Sequence, residues 1–132
     1  MKVAPFKCSF LLIFVCFIAF PHLNAQNFEN ISVALKNGDA SSIAKNFEGN
    51  VEITIKNGST SYSKSQAEIV LKNFFSTHTP KTFSMSHQGT SPEGSKYFIG
   101  NLSTSAGNYR TYVYAKVTNG TMVIQEIRFE EQ

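Results

Sequence analysis

Two side chains in this sequence could move protons, His87 and Glu126. An imidazole titrates near neutrality, and burial can bring a carboxyl there. His87 follows Phe83 and Met85 at every second position. In a strand that period places all three on one face, so His87 is expected on the side of the apolar pair. Glu126 stands between Ile124 and Ile127, which predicts partial burial. The plainer reading of each carries more weight: a hydrogen-bonded histidine at a sheet rim, and a carboxylate paired with Arg110 or Arg128. The remaining acids are poorer candidates. Asp39 stands where a helix cap belongs, and Glu52 and Glu68 alternate away from apolar neighbours. Glu29, Glu48, Glu93, Glu130 and Glu131 fall near element ends or in loops.

A second group suits binding rather than reaction. Arg110, Tyr112 and Tyr114 share one face of a strand, with Tyr109, Thr111, Val113 and Ala115 on the other. Tyr and Arg are enriched where proteins meet partners. They also fit an ordinary solvent-facing strand, which is the weightier reading. His78 is placed to cap the C-terminal end of a helix, where positive charge is favoured. His78 and His87 lack the convergent acids of a zinc site. The sequence has no Gly-rich phosphate loop and no serine in a nucleophile-elbow pattern. No metal and no cofactor is expected.

These residues must be positioned by short elements. Phe28, Ile31, Ala34 and Leu35 fall at helical spacing, and Asn37-Gly38 ends that helix. Asp39 can cap a second helix over Ala40–Asn46, with Ile43, Ala44 and Phe47 on one side. Val51–Lys56 alternates as a strand, Asn57-Gly58 is a hairpin signal, and a return strand runs to Tyr62. Ser63 and Gln66 form a capping box for a helix to about Ser76, with Ala67, Val70, Leu71, Phe74 and Phe75 as its stripe. Four strands follow: Thr82–Gln88, Lys96–Thr104 with a bulge at Gly100, Tyr109–Thr118, and Met122–Phe129 after a turn at Asn119-Gly120. Helices first and strands last imply an α+β fold, with helices covering one face of a curved antiparallel sheet.

The first 25 residues read differently. Lys2 and Lys7 precede an unbroken apolar run, Phe10–Phe20, and Pro21 and Ala25 follow. That is the pattern of a secretory signal, with cleavage expected after Ala25. The run is too short for a membrane span, which needs roughly 20 residues. Cys16 lacks the small neighbours of a lipid-attachment site, so Cys8 and Cys16 are both expected to leave with the signal. Residues 26–132 would form one domain without disulfides, carrying ten basic and nine acidic side chains. Such a balance offers no footprint for nucleic acid and no polybasic stretch for a membrane surface. A periplasmic or extracellular location is expected.

The order of elements is similar to the nuclear transport factor 2-like, or cystatin-like, fold, in which helices form a cone against a curved sheet. Ala34–Asp39, Ile43–Phe47, Tyr62–Ala67, Phe74-Phe75, His87-Gln88-Gly89, Tyr97–Gly100 and Tyr109-Arg110 also resemble a family of small secreted Bacteroidota proteins of unknown function. The resemblance spans nearly all of residues 26–132 and brings no reaction with it. It implies a secreted, non-catalytic binding or accessory domain. The ligand would be a small apolar molecule or a partner segment, held in the cone or on the sheet face. Met85, His87, Arg110, Tyr112, Tyr114 and Glu126 are the residues expected to touch it. A homodimer through the outer sheet face is implied by analogy. The alternative is a small isomerase or lyase of the ketosteroid isomerase-like type, using His87 with Glu126.

Overall fold

The computed structural model describes residues 23–132, with side chains from Phe28 onward. The signal expected over residues 1–25 lies outside the described residues, apart from Leu23–Ala25. No helix among the described residues is long and apolar enough to cross a membrane.

Helix α1 (Leu23–Asn37) buries Phe28, Ile31, Ala34 and Leu35, the stripe that the spacing predicts. Asp39 caps α2 (Ala40–Ala44) by accepting hydrogen bonds from the Ser42 N–H at 3.1 Å and the Ser42 hydroxyl at 2.6 Å. This helix is shorter than expected, and Phe47 belongs to the next strand. The Asn46 side chain donates back to the Ser42 carbonyl at 3.3 Å. The Asn46 carbonyl accepts from Ile124 N–H at 2.8 Å, which starts sheet pairing at that point. Helix α3 (Lys64–Thr77) opens with the expected capping box: Gln66 N–H donates to Ser63 Oγ, and Ser63 N–H donates to Gln66 Oε1. Its Ala67, Leu71, Phe74 and Phe75 are buried.

The six strands are β1 (Phe47–Ile55), β2 (Gly58–Ser63), β3 (Pro80–Thr90), β4 (Lys96–Thr104), β5 (Gly107–Thr118) and β6 (Thr121–Glu131). They form one sheet in the order β2-β1-β6-β5-β4-β3. Every neighbouring pair is antiparallel except β1 and β6, which run parallel. The antiparallel expectation is corrected at that pair. Helix α3 carries the chain from the β2 edge to the β3 edge, and the following meander returns β6 alongside β1 in the same direction.

The helices cover one face of the sheet, and aromatic rings fill the space between. Phe28 of α1 meets Phe98 of β4 edge-on at 5.0 Å. Phe74 of α3 stacks on Phe129 of β6 at 4.5 Å and meets Tyr109 of β5 edge-on at 5.4 Å. Leu35, Leu71, Leu102, Val113 and Ile127 are fully buried among them. Each such side chain contributes roughly 1.5–3 kcal/mol of burial free energy, which makes this face the seat of the fold's stability.

Of the register shifts in the sheet, two set which candidate side chains reach which face. On β3, Met85 pairs with Gly100 and His87 pairs with Ile99, so Ser86 is an extra residue. The Ser86 hydroxyl donates to the Ile99 carbonyl at 3.1 Å. On β6, Glu126 pairs with Tyr114 and Ile124 pairs with Ala115, so Gln125 is extra. The bulge expected at Gly100 instead lies opposite it, on β3. The hairpins also differ. Asn119-Gly120 forms the two-residue turn as expected, both at positive φ. The first turn is Lys56-Asn57, because Gly58 already pairs with Ile55.

Candidate functional site

The outer face collects the polar half of each strand. On β5, Tyr109, Thr111, Val113 and Ala115 are buried inward, and Arg110, Tyr112 and Tyr114 point outward as the alternation predicts. Their register partners on β6 are Glu130, Arg128 and Glu126. On β4 the facing residues are Asn101, Ile99 and Tyr97.

Arg128 organises the middle of this face. Its Nη2 donates to Glu126 Oε1 at 2.7 Å and its Nε donates to the same oxygen at 3.2 Å. Its Nη1 lies 3.6 Å from Glu130 Oε1. The hydrogen bond it donates to Glu126 holds the guanidinium pKa above its ordinary value, against a smaller opposing effect of burial. The Arg128 guanidinium carbon also lies 5.8 Å from the Tyr112 ring centre, and that of Arg110 lies 5.6 Å from the same ring. Tyr112 is therefore flanked by two cations, a contact worth about 0.5–1 kcal/mol each at exposed sites. Among the described residues Arg110 has no carboxylate partner.

A row of rings runs from this centre to the β3 edge. Tyr114 and Tyr97 lie 6.1 Å apart, and Tyr97 and His87 lie 5.8 Å apart. His87 Nε2 and Tyr97 Oη are 3.3 Å apart. At the top of the row, Tyr114 and Glu126 border an open cleft of about 420 Å3 whose lining also includes Glu52, Ser91, Glu93 and Ser95. Glu52 accepts a hydrogen bond from the Ser59 hydroxyl. No group of three or more His, Cys, Asp or Glu side chains among the described residues is placed to hold a metal ion.

The predicted residues thus divide. Arg110, Tyr112, Tyr114, Glu126 and His87 share the outer face, and Met85 sits half-buried on the inner face, in register with Gly100. The expectation that His87 joins Phe83 and Met85 is corrected, because the extra Ser86 turns it to the opposite side. His87 and Glu126 do not meet. Strands β4 and β5 lie between them, a separation of about 14 Å from strand spacing alone. The partner of Glu126 is Arg128 on its own strand, rather than a residue across the sheet. His78 caps α3 as expected: its Nδ1 lies 3.1 Å from the Phe74 carbonyl and its ring stacks on Phe74 at 4.5 Å. Tyr97, and Arg128 as a stacking cation, are site residues that composition and period did not single out. The signal for Tyr97 was Gly89, its register partner, which leaves room for the ring.

Comparison with known proteins was made on both sequence and structure. A family profile described as a domain of unknown function (DUF4783) matches residues 28–130. A DUF4783 family protein from Bacteroides uniformis is similar at 33% identity, with a TM-score of 0.74 over 79% of this chain and 95% of its own. One from Bacteroides fragilis is similar at 28% identity, with a TM-score of 0.74 over 78% of this chain and 96% of its own. A nuclear transport factor 2-like protein of unknown function from Silicibacter pomeroyi shares the fold at 10% identity, with a TM-score of 0.58 over 82% of this chain and 92% of its own. No curated protein matches the sequence. With a match over residues 28–130, the chain belongs to the DUF4783 family, a family of unknown function, and has the nuclear transport factor 2-like α+β fold.

Proposed function

We propose that this chain is a secreted, non-catalytic binding domain whose outer sheet face is the binding surface, and that a second copy of the chain occupies it. The observation that carries this reading is the Tyr112 ring flanked by Arg110 and Arg128, beside half-buried Tyr97 and Tyr114. Tyr and Arg bury large area at low entropic cost and dominate protein interfaces. The face is also self-complementary in charge. It presents Arg110 and Arg128 together with Glu52, Glu126 and Glu130, so each copy offers the other both cations and carboxylates away from the axis. Export rests on the basic start and apolar run of residues 1–25.

Sedimentation velocity over a concentration series tests the reading. A reversible dimer is expected, weakened by Tyr112→Ala and by Arg110→Glu and loosened by added salt. A chain that stays monomeric at the highest concentration reached overturns it.

A further inference from the structure

Asparagine is a thermolabile residue, most of all when glycine follows it. The glycine nitrogen can then attack the asparagine side-chain amide, because the ring that forms is small and the glycine carries no side chain to obstruct it. The chain contains three such pairs: Asn37-Gly38, Asn57-Gly58 and Asn119-Gly120. The fold places them in three different settings. Gly38 closes α1, and its N–H donates to the Leu35 carbonyl at 3.2 Å. It is also packed in, since a Cβ there would stand 3.2 Å from Pro80 Cδ and 3.5 Å from Phe75 Cβ. Gly58 belongs to the ladder. It pairs with Ile55 across the Lys56-Asn57 turn, and as the last residue of that turn it supplies the N–H that the Ile55 carbonyl accepts.

Gly120 is placed otherwise. The pair that closes its turn is Thr118 with Thr121, so Gly120 sits inside the turn and its nitrogen lies outside the ladder. Among the described residues no backbone carbonyl accepts from Gly120 N–H. Thr118, Asn119, Gly120 and Thr121 are all exposed, and a Cβ on Gly120 would meet nothing within 4 Å. Asn119 is held at φ +51°, an uncommon conformation for a residue with a side chain. Rotating the Asn119–Gly120 junction out of it meets no packing and costs at most the terminal Thr118–Thr121 pair.

We infer that Asn119 is the site at which this chain is modified by spontaneous deamidation, and that the fold spares Asn37 and Asn57. The Gly120 nitrogen gives up its proton and bonds to Asn119 Cγ. The Cγ–Nδ2 bond breaks, and the side-chain nitrogen leaves as ammonia with that proton. Water then opens the cyclic imide. Cleavage of the new Cγ–N bond leaves aspartate. Cleavage of the original peptide C–N bond leaves isoaspartate, in which the side-chain carbons have entered the main chain of the turn. Either product replaces an amino group by a hydroxyl that ionises, so the chain gains one negative charge. The inference draws on none of the residues of the proposed self-association face and does not rest on that reading.

The test is incubation of the folded protein at mildly alkaline pH, followed by ion-exchange chromatography and peptide mass mapping. The folded chain is expected to accumulate an acidic form converted at Asn119. Asn37 and Asn57 should convert at least about tenfold more slowly, because each must first open a backbone hydrogen bond. In concentrated guanidinium chloride the three sites should convert at comparable rates, which separates the effect of the fold from that of the neighbouring residues. Asn119→Gln, whose longer side chain would have to close a larger ring, should abolish the acidic form, and Asn57→Gln should leave it unchanged. Conversion of Asn37 or Asn57 as fast as Asn119 in the folded chain overturns the inference, as does a folded chain that stays unmodified while the denatured one converts.

Discussion

The Tyr97 side chain lies across the backbone of Gly89, so that a methyl group on residue 89 would stand 2.7 Å from Tyr97 Oη. Gly100 holds an aromatic ring on the other face in the same manner, but there a methyl group would meet both Phe83 and the Ser84 carbonyl oxygen at 2.8 Å. The difference decides the consequence. The Tyr97 hydroxyl is the far end of a flexible side chain and can move aside. The Ser84 oxygen is backbone and cannot. Gly89→Ala is expected to leave the melting temperature nearly unchanged while breaking the contact between Tyr97 and His87, seen as altered ring signals. Gly100→Ala is expected to cost about 1–3 kcal/mol through overpacking. Equal melting temperatures for the two variants would refute this account.

Thr111 on β5 is fully buried and its hydroxyl has no hydrogen-bond partner, which makes a second prediction. Thr111→Val keeps the shape and removes the desolvated group, so the domain should gain about 1 kcal/mol. For a domain of this size that is a rise of roughly 4–8 °C in melting temperature. A fall in melting temperature would mean that the hydroxyl already has a partner.

Acid sensitivity should trace to Asp39. The Ser42 hydroxyl and N–H donate to its carboxylate and hold the Asp39 pKa below its ordinary value. Its stabilising effect is therefore complete above the unfolded-chain value of about 3.9, and fades as pH falls through the lower folded-state value. Asp39→Ala is expected to cost about 1 kcal/mol at neutral pH, and the gap from wild type should narrow under strong acid. Asp39→Asn keeps an acceptor and should lose less. Denaturant unfolding at a series of pH values checks both, and a gap that does not change with pH would count against the assignment.

The two Asn-Gly pairs should respond differently to alanine. Gly120 has φ +74° and lies in the turn between β5 and β6, so Gly120→Ala is expected to cost about 1 kcal/mol. Gly58 opens strand β2 with no such requirement, and nothing nearer than the Ile55 carbonyl at 3.7 Å opposes a side chain there. Gly58→Ala should be neutral or gain up to about 0.5–1 kcal/mol. Matching losses at both positions would contradict the observed turn at Lys56-Asn57.

What the sequence disclosed follows the range of the interactions involved. The stripe of Phe28, Ile31, Ala34 and Leu35 and the box of Ser63 and Gln66 are local, so spacing alone exposes them. Arg110, Tyr112 and Tyr114 were assigned to their face because β5 keeps period two through all three. His87 was misplaced because Ser86 breaks that period, and the bulge depends on pairing with a strand ten or more residues away. Gly100 drew attention to the right place on the wrong strand. On β6 the three-residue step from Ile124 to Ile127 was a legible sign of the Gln125 bulge, and it is what turns Glu126 outward. Neither the parallel pairing of β1 with β6 nor the meeting of two arginines at Tyr112 has a local signature.

The two border strands of the sheet bear on how the chain behaves when crowded. Strand β3 starts with Pro80, which has no N–H to offer, continues with Lys81, and kinks at Ser86. Strand β2 is six residues long and consists mostly of serine and threonine. Neither presents the long, flat, apolar template on which foreign strands add and fibrils grow. Among the described residues, the sheet's two borders are thereby guarded against amyloid-type stacking.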